Sequence, residues 1–291
     1  MVRAGLANVP QMKLVPRAAV AAFVLCAAAF AMPAHPQGPE PHMEFAARYA
    51  REVDRRLEVP PETGEEYAAR LAAALAQVVH REPQFAVLVD RSPAVQAVFV
   101  YWGSPGDRWR LVGASPTSTG LPGRFDYFET PVGVFEHTLA NPDFRAEGTR
   151  NKNGIRGYGD RGMRVYDFGW AASPRTWGTR GRGVMRLQMH ATDRELLEPW
   201  LGTRRSKGCI RIPASLNLFI DRYGLLDADY ERVAREGRHL WVLREDRSPT
   251  PWPGRYLVIV DSGRATRPAW SPLPGKRRPG PRTQEASRGV C

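Results

Sequence analysis

Apolar positions recur along this chain with two different periods. Phe45, Tyr49, Val53 and Leu57 are four residues apart, which puts them on one stripe of a helix that Pro60-Pro61 ends. A second helix is predicted from Thr63, paired with Glu66 as a capping box, and Tyr67, Leu71, Leu75 and Val78 share one of its faces. Both stripes read as packing surface. From about Gln84 the period shortens. Residues 85–90 (FAVLVD), 94–102 (AVQAVFVYW) and 108–115 (RWRLVGAS) are short β-branched and aromatic runs separated by turn residues, as in an antiparallel β-rich domain. Further strands are expected at 163–170 (MRVYDFGW), 184–190 (VMRLQMH) and, closing the domain, 238–246 (RHLWVLRED). A helix is expected from Pro213 to Tyr223 with Gly224 as its stop. Residues 140–183 are otherwise loop-like, and no internal repeat is visible.

The ends of the chain read differently. Lys13 and Arg17 precede an apolar run, Ala18 to Met32, that contains Ala29-Phe30-Ala31 as a small-residue cleavage site. This is the pattern of a secretory signal over residues 1–31, with Met12 as an alternative start, and the run is short for a membrane span. Residues 32–83 read as a linker and helical segment, and residues 247–291 as a Pro- and Arg-rich basic tail, with 255–262 as one extra strand candidate. The chain of 291 residues carries a net charge of +12, almost all of it from arginine. Such a surface suits acidic partners, and export to a periplasm or cell envelope points to an envelope polymer rather than nucleic acid. Contact with the membrane is expected only through the signal segment.

Export also frames the cysteines. Cys26 lies inside the apolar run and Cys291 is the last residue, so Cys209 stands alone in the folded region. No disulfide framework can be built from this set. Cys209 is either a small buried hydrophobe or a nucleophile. A thiol attacks as its thiolate, which needs a base or a positive field. Arg204, Arg205, Lys207 and Arg211 supply cations nearby. His190 ends a strand in which Met185, Leu187 and Met189 share one face and Arg186, Gln188 and His190 the other, so it is expected on a polar face beside a cleft. Gly208 permits a tight turn, Ser206 could orient either the imidazole or the loop, and the N–H groups at 208–209 could hold an oxyanion. A metal trio of His137, His190 and Cys209 lacks short-range ligand spacing.

His190, a gap of fifteen residues, and then Ser206-Lys207-Gly208-Cys209-Ile210-Arg211 resembles the signature of the L,D-transpeptidase (YkuD-type) catalytic domain. Ser118-Thr119-Gly120 and Thr130-Pro131-Val132-Gly133-Val134-Phe135 resemble a second landmark of that family, and LVDRSPAVQAVFVYW its opening hairpin. The similarity runs over residues 84–246. It implies a mainly β fold, an L,D-transpeptidase-like β-sandwich with short helices, preceded here by a helical segment. It implies acyl transfer on peptidoglycan stem peptides without cofactor or metal. Cys209 would be the nucleophile and His190 the base, with Gly208 and Ser206 at the oxyanion loop. Arg211 and Lys207 would be candidates for substrate carboxylates, and carbapenem-type β-lactams would inhibit. The family's usual His before Gly-Cys is Lys207 in this chain, whose ammonium cannot replace imidazole hydrogen bonding. A carboxypeptidase or endopeptidase using the same pair, and a non-catalytic envelope-binding module, are the alternatives.

Overall fold

A computed structural model of the chain describes residues 40–78, 82–104 and 106–274. The expected signal segment, Cys26, Cys291 and the end of the basic tail lie outside the described residues. Among the described residues, no helix is long and apolar enough to cross a membrane.

Two sheets make the fold. In the first, β1 (Gln84–Asp90), β2 (Ala97–Gly103), β3 (Arg110–Pro116), β4 (Gly133–Glu136) and β9 (Tyr256–Val260) lie in the order β3-β2-β1-β9-β4. The second has β5 (Phe144–Arg145), β6 (Arg164–Pro174), β7 (Arg182–His190) and β8 (Ile210–Arg211) in that order. Their inner faces meet in one core. Val87, Val89, Val98 and Ile259 come from the first sheet; Tyr166, Leu187, Met189 and Ile210 come from the second. The expected mainly β sandwich is therefore the architecture, with short helices around it.

The continuous apolar runs of β1 and β2 have a reason. Their outer face is buried as well, under α2 (Pro61–Leu75), whose Tyr67, Leu71 and Leu75 pack on Ala86, Leu88 and Phe99. Tyr67 stacks on Phe99 at 4.3 Å and donates to Asp90 Oδ2 at 2.5 Å. α1 (Pro41–Glu52) closes the edge of the inner core with Phe45 and Tyr49. The helical segment from Pro41 to Leu75 is thus integral to the sandwich.

Of the boundaries of α2, the helix after Pro213 and the closing strand, the first and last differ from expectation. α2 begins at Pro61, with no side-chain cap, so the Thr63–Glu66 box is not used. Proline at the first helical turn gives up no needed N–H, which makes it a sufficient start. α3 (Ala214–Tyr223) follows Pro213 and ends at Gly224, as anticipated within a residue. The expected closing strand at 238–246 is a run of turns, with Val242 and Leu243 packing on Tyr230 of α4 (Ala228–Arg235). Among the described residues the last strand is β9, and it is interior to the first sheet: it runs parallel to β1 and antiparallel to β4. The packed domain therefore extends past residue 246, and the segment from 247 is not a tail at its start.

Candidate active site

Cys209 stands one residue before β8, which pairs in parallel with β7 through Met189–Ile210 and His190–Arg211. Paired residues of parallel strands point the same way, and successive residues alternate. Met189 and Ile210 therefore go to the core, and both are buried. Arg186, Gln188 and His190 share the other face with Arg211. Cys209, one residue outside β8 and two before the partner of His190, is buried in the core cluster with Met185, Met189 and Ile210. The Cys209 thiol donates to the carbonyl of Arg186 at 3.8 Å.

His190 has a defined orientation. Its Nδ1 lies 2.5 Å from the carbonyl of Ala191. A carbonyl only accepts, so Nδ1 carries a proton, and in the neutral ring the lone pair is on Nε2. Tyr158, in the loop of residues 146–162, packs edge-on against the imidazole at 4.7 Å and donates to Gln188 Oε1 at 3.2 Å. The expectation of an open polar face on β7 is corrected here. Cys209 and His190 are both 0% exposed: Tyr158 from the loop before β6 packs on the imidazole, and Cys209 belongs to the core cluster.

The turn before Cys209 is held from within and from outside. Gly208 has φ of 134°, a region side chains avoid, and a Cβ there would lie 2.5 Å from Met185 Sδ. Ser206 Oγ donates to the Cys209 carbonyl at 2.5 Å and accepts from the Gly208 N–H at 3.1 Å. Ser206 thus orients the loop and not the imidazole. The same bond takes up the Gly208 N–H, which removes it from the expected oxyanion donors.

The outside clamp is the Ser118–Thr130 segment, far away in sequence. Thr130 Oγ1 donates to the Gly208 carbonyl at 2.7 Å and accepts from the Gly120 N–H at 2.8 Å. Phe128 N–H donates to the Lys207 carbonyl, Leu121 N–H to the Ser206 carbonyl, and Ser118 bridges to Arg211. Gln96, at the head of β2, fixes Thr119 through its side-chain amide. The landmarks quoted from the sequence therefore meet as one hydrogen-bonded unit. Arg204 adds a tie from the same loop to the Arg91 carbonyl and to Glu129.

The cations expected to hold substrate are engaged otherwise. Lys207 Nζ donates to Asp126 at 2.7 Å and sits 5.7 Å from the Tyr127 ring centroid. Arg211, on the same face as His190, donates through a terminal nitrogen to the Arg205 carbonyl at 3.4 Å.

Two groupings escaped the sequence reading. One adjoins Cys209: Asp167 accepts from Arg186 Nε, from Gln188 Nε2 and from the Gly169 N–H. The other is a buried ion cluster around Arg164, which is 0% exposed and paired with Asp143 and Asp227, 2.6 and 2.7 Å away. His137 belongs to it. Its Nε2 faces the Asp143 carboxylate at 2.9 Å and its Nδ1 the Leu226 carbonyl at 2.8 Å. Both partners only accept, so the ring donates from both nitrogens and is the imidazolium. Burial opposes that charge, but Asp143 outweighs it and holds the His137 pKa above 6.5. A metal trio of His137, His190 and Cys209 is not formed, and no group of three or more His, Cys, Asp or Glu among the described residues is placed to hold a metal. A cavity of 590 Å³ lies between α2 and β3, lined by Gly64, Ala68, Trp109 and Leu111, and takes in none of the Cys209 loop.

No family model matches the chain, and no curated protein matches it. Among solved structures, it is similar to a fused Zn-dependent amidase/peptidase/peptidoglycan-binding domain-containing protein from Clostridium acetobutylicum. The identity is 15% and the TM-score 0.29, over 72% of this chain and 66% of that one.

Proposed function

We propose that this chain is an exported cysteine acyltransferase of the L,D-transpeptidase kind, acting on peptidoglycan stem peptides in the cell envelope. What supports this reading is the placement of the cysteine turn against the end of β7: His190 pairs with Arg211, two residues after Cys209, its imidazole proton is held on Nδ1, and the turn is clamped by the Ser118–Thr130 segment. In the proposed reaction His190 Nε2 takes the thiol proton. The Cys209 sulfur attacks the carbonyl before the terminal D-Ala of a tetrapeptide stem. The C–N bond breaks, the D-Ala amine leaves with the proton, and a thioester remains. An acceptor amine then attacks the thioester and restores the thiol. Because both groups are enclosed, the donor must displace what covers them, and Tyr158 is the group over the imidazole.

The test is intact mass spectrometry of the purified, reduced protein with a carbapenem. A covalent adduct that disappears in Cys209→Ala is expected. A folded, reduced protein that gives no adduct would overturn the assignment of Cys209 as nucleophile. Product analysis with and without an amine acceptor then separates the transferase from a carboxypeptidase, in which water takes the acceptor's place.

A further inference from the structure

The cations named from the sequence for a substrate carboxylate, Lys207 and Arg211, are both drawn into contacts with the protein itself. Arg186 is arranged differently. It lies on the face of β7 that carries Gln188 and His190, on the side of Gln188 away from His190, and its own carbonyl accepts the Cys209 thiol. Its Nε points at both oxygens of Asp167, 2.9 Å from each. The guanidinium lies 5.5 Å from the centroid of the Trp170 ring, and Trp170 is 69% exposed. The Arg186 side chain is itself 30% exposed, while that of Asp167 is almost fully buried.

The consequences follow from guanidinium chemistry. A guanidinium has five N–H donors in a rigid plane. Asp167 takes the Nε edge, and the indole supports one face, so the plane is fixed without using the outer pair of NH₂ groups. Asp167 is also saturated. Gln188 Nε2 and the Gly169 N–H donate to it as well, which spreads its charge away from Arg186. A fixed guanidinium with its outer edge unused, on the residue whose carbonyl accepts the Cys209 thiol, is a fork for a carboxylate.

We infer that Arg186, backed by Asp167 and supported by Trp170, is an anion subsite that takes the terminal carboxylate of the donor peptide beside Cys209. The identity of the anion as the carboxylate of a terminal D-amino acid rests on the function proposed above; the anion preference itself does not. The subsite makes the enzyme demand a free C-terminus next to the bond to be cut, and it discriminates against amidated or extended stems.

The experiment uses the Cys209→Ala protein, in which nothing turns over. It is titrated with a stem tetrapeptide ending in D-Ala and with the same peptide as its C-terminal carboxamide. The acid is expected to bind about tenfold or more tightly than the amide, as suits a charge-assisted pair. Arg186→Met should bring the two affinities within about twofold, and Arg186→Lys should restore part of the preference. Circular dichroism and the thermal midpoint confirm that each variant is folded; the lysine variant keeps the Asp167 contact if the methionine one is unstable. An acid preference that survives Arg186→Met, equal loss on both peptides, or no acid preference at the outset overturns the subsite. A carbapenem adduct on Cys209 without an acid preference would leave the nucleophile and remove the subsite. A preference that depends on Arg186, without an adduct, would do the reverse.

Discussion

Gly120 and Gly208 touch backbone to backbone: a Cβ on Gly120 would come within 3.1 Å of the Gly208 Cα and 2.0 Å of the Phe128 carbonyl oxygen. Residues with four strands, β4 to β7, between them in the chain thus share one contact, and the cysteine turn takes its shape from it. Gly120→Ala meets fixed backbone on every side, so it must push the turn away. A loss of about 1–3 kcal/mol is expected, read from the urea midpoint. Carbapenem acylation should fall by more than stability explains, since the displaced group is Cys209 itself.

His190 and Lys207 should separate cleanly in kinetics. The imidazole is held as a base with its lone pair on Nε2, and its removal in His190→Gln should slow acylation by about 10²–10⁴-fold. Lys207 is tied to Asp126, whose carboxylate is largely exposed, so the pair is weak and much of the lysine field is compensated. Lys207→Gln should therefore cost less than about tenfold. Stopped-flow acylation of the two variants checks both numbers.

Arg164 holds three aspartates together in the interior. Arg164→Leu would leave Asp143, Asp221 and Asp227 without the guanidinium they share, with the His137 imidazolium as the remaining counter-charge beside Asp143 and Asp227, at a cost of about 3–5 kcal/mol. Urea unfolding measures it. A smaller loss is expected in Arg70→Ala, which breaks an ion pair at the surface of α2.

The same cluster sets a pH dependence. The His137 pKa is raised above 6.5, so its contribution to stability is complete below pH 6.5 and is lost as pH rises through the raised value. Asp143 goes the other way. Burial opposes its charge, but His137 and Arg164 hold it below 3.8, so its contribution is present above that pH and is lost on further acidification. Asp227 is pushed upward by burial, which opposes Asp143 on the acid side and leaves the alkaline limb to His137. The urea midpoint of the wild type should fall between pH 6 and pH 9. That of His137→Asn should be lower at pH 6 and nearly flat over the same range.

The elements that periodicity can reach were legible. Met185, Leu187 and Met189 do enter the core, and His190 does stand on the other face of β7, paired with Arg211. Gly224 does end α3. What failed had no local signal. Residues 238–246 are as apolar as many strands, yet Val242 and Leu243 find their cover on α4 and need no sheet. Arg164 alternates correctly with its neighbours on β6, but its partners Asp143, Asp221 and Asp227 come from three other places in the chain. The Ser206–Gly208 bond was equally hidden, because a serine two residues before a glycine serves many turns. The commitment of Lys207 depends on Asp126, which no spacing rule connects to it.

The position of β9 has a consequence for how the protein comes into being. β1 is flanked on one side by β2 and on the other by β9, and the Arg91–Asp261 pair at the ends of β1 and β9 spans 170 residues of sequence. Until that late strand arrives, β1 keeps one edge of unpaired N–H and C=O groups between two apolar faces. Such an edge invites pairing with another chain. Parallel pairing across so long a loop is also slow, because the closure entropy comes due before any contact repays it. A nascent or truncated chain that stops short of Tyr256 is therefore an aggregation-prone species, and the fold is completed from its C-terminal side, in the interior of the first sheet.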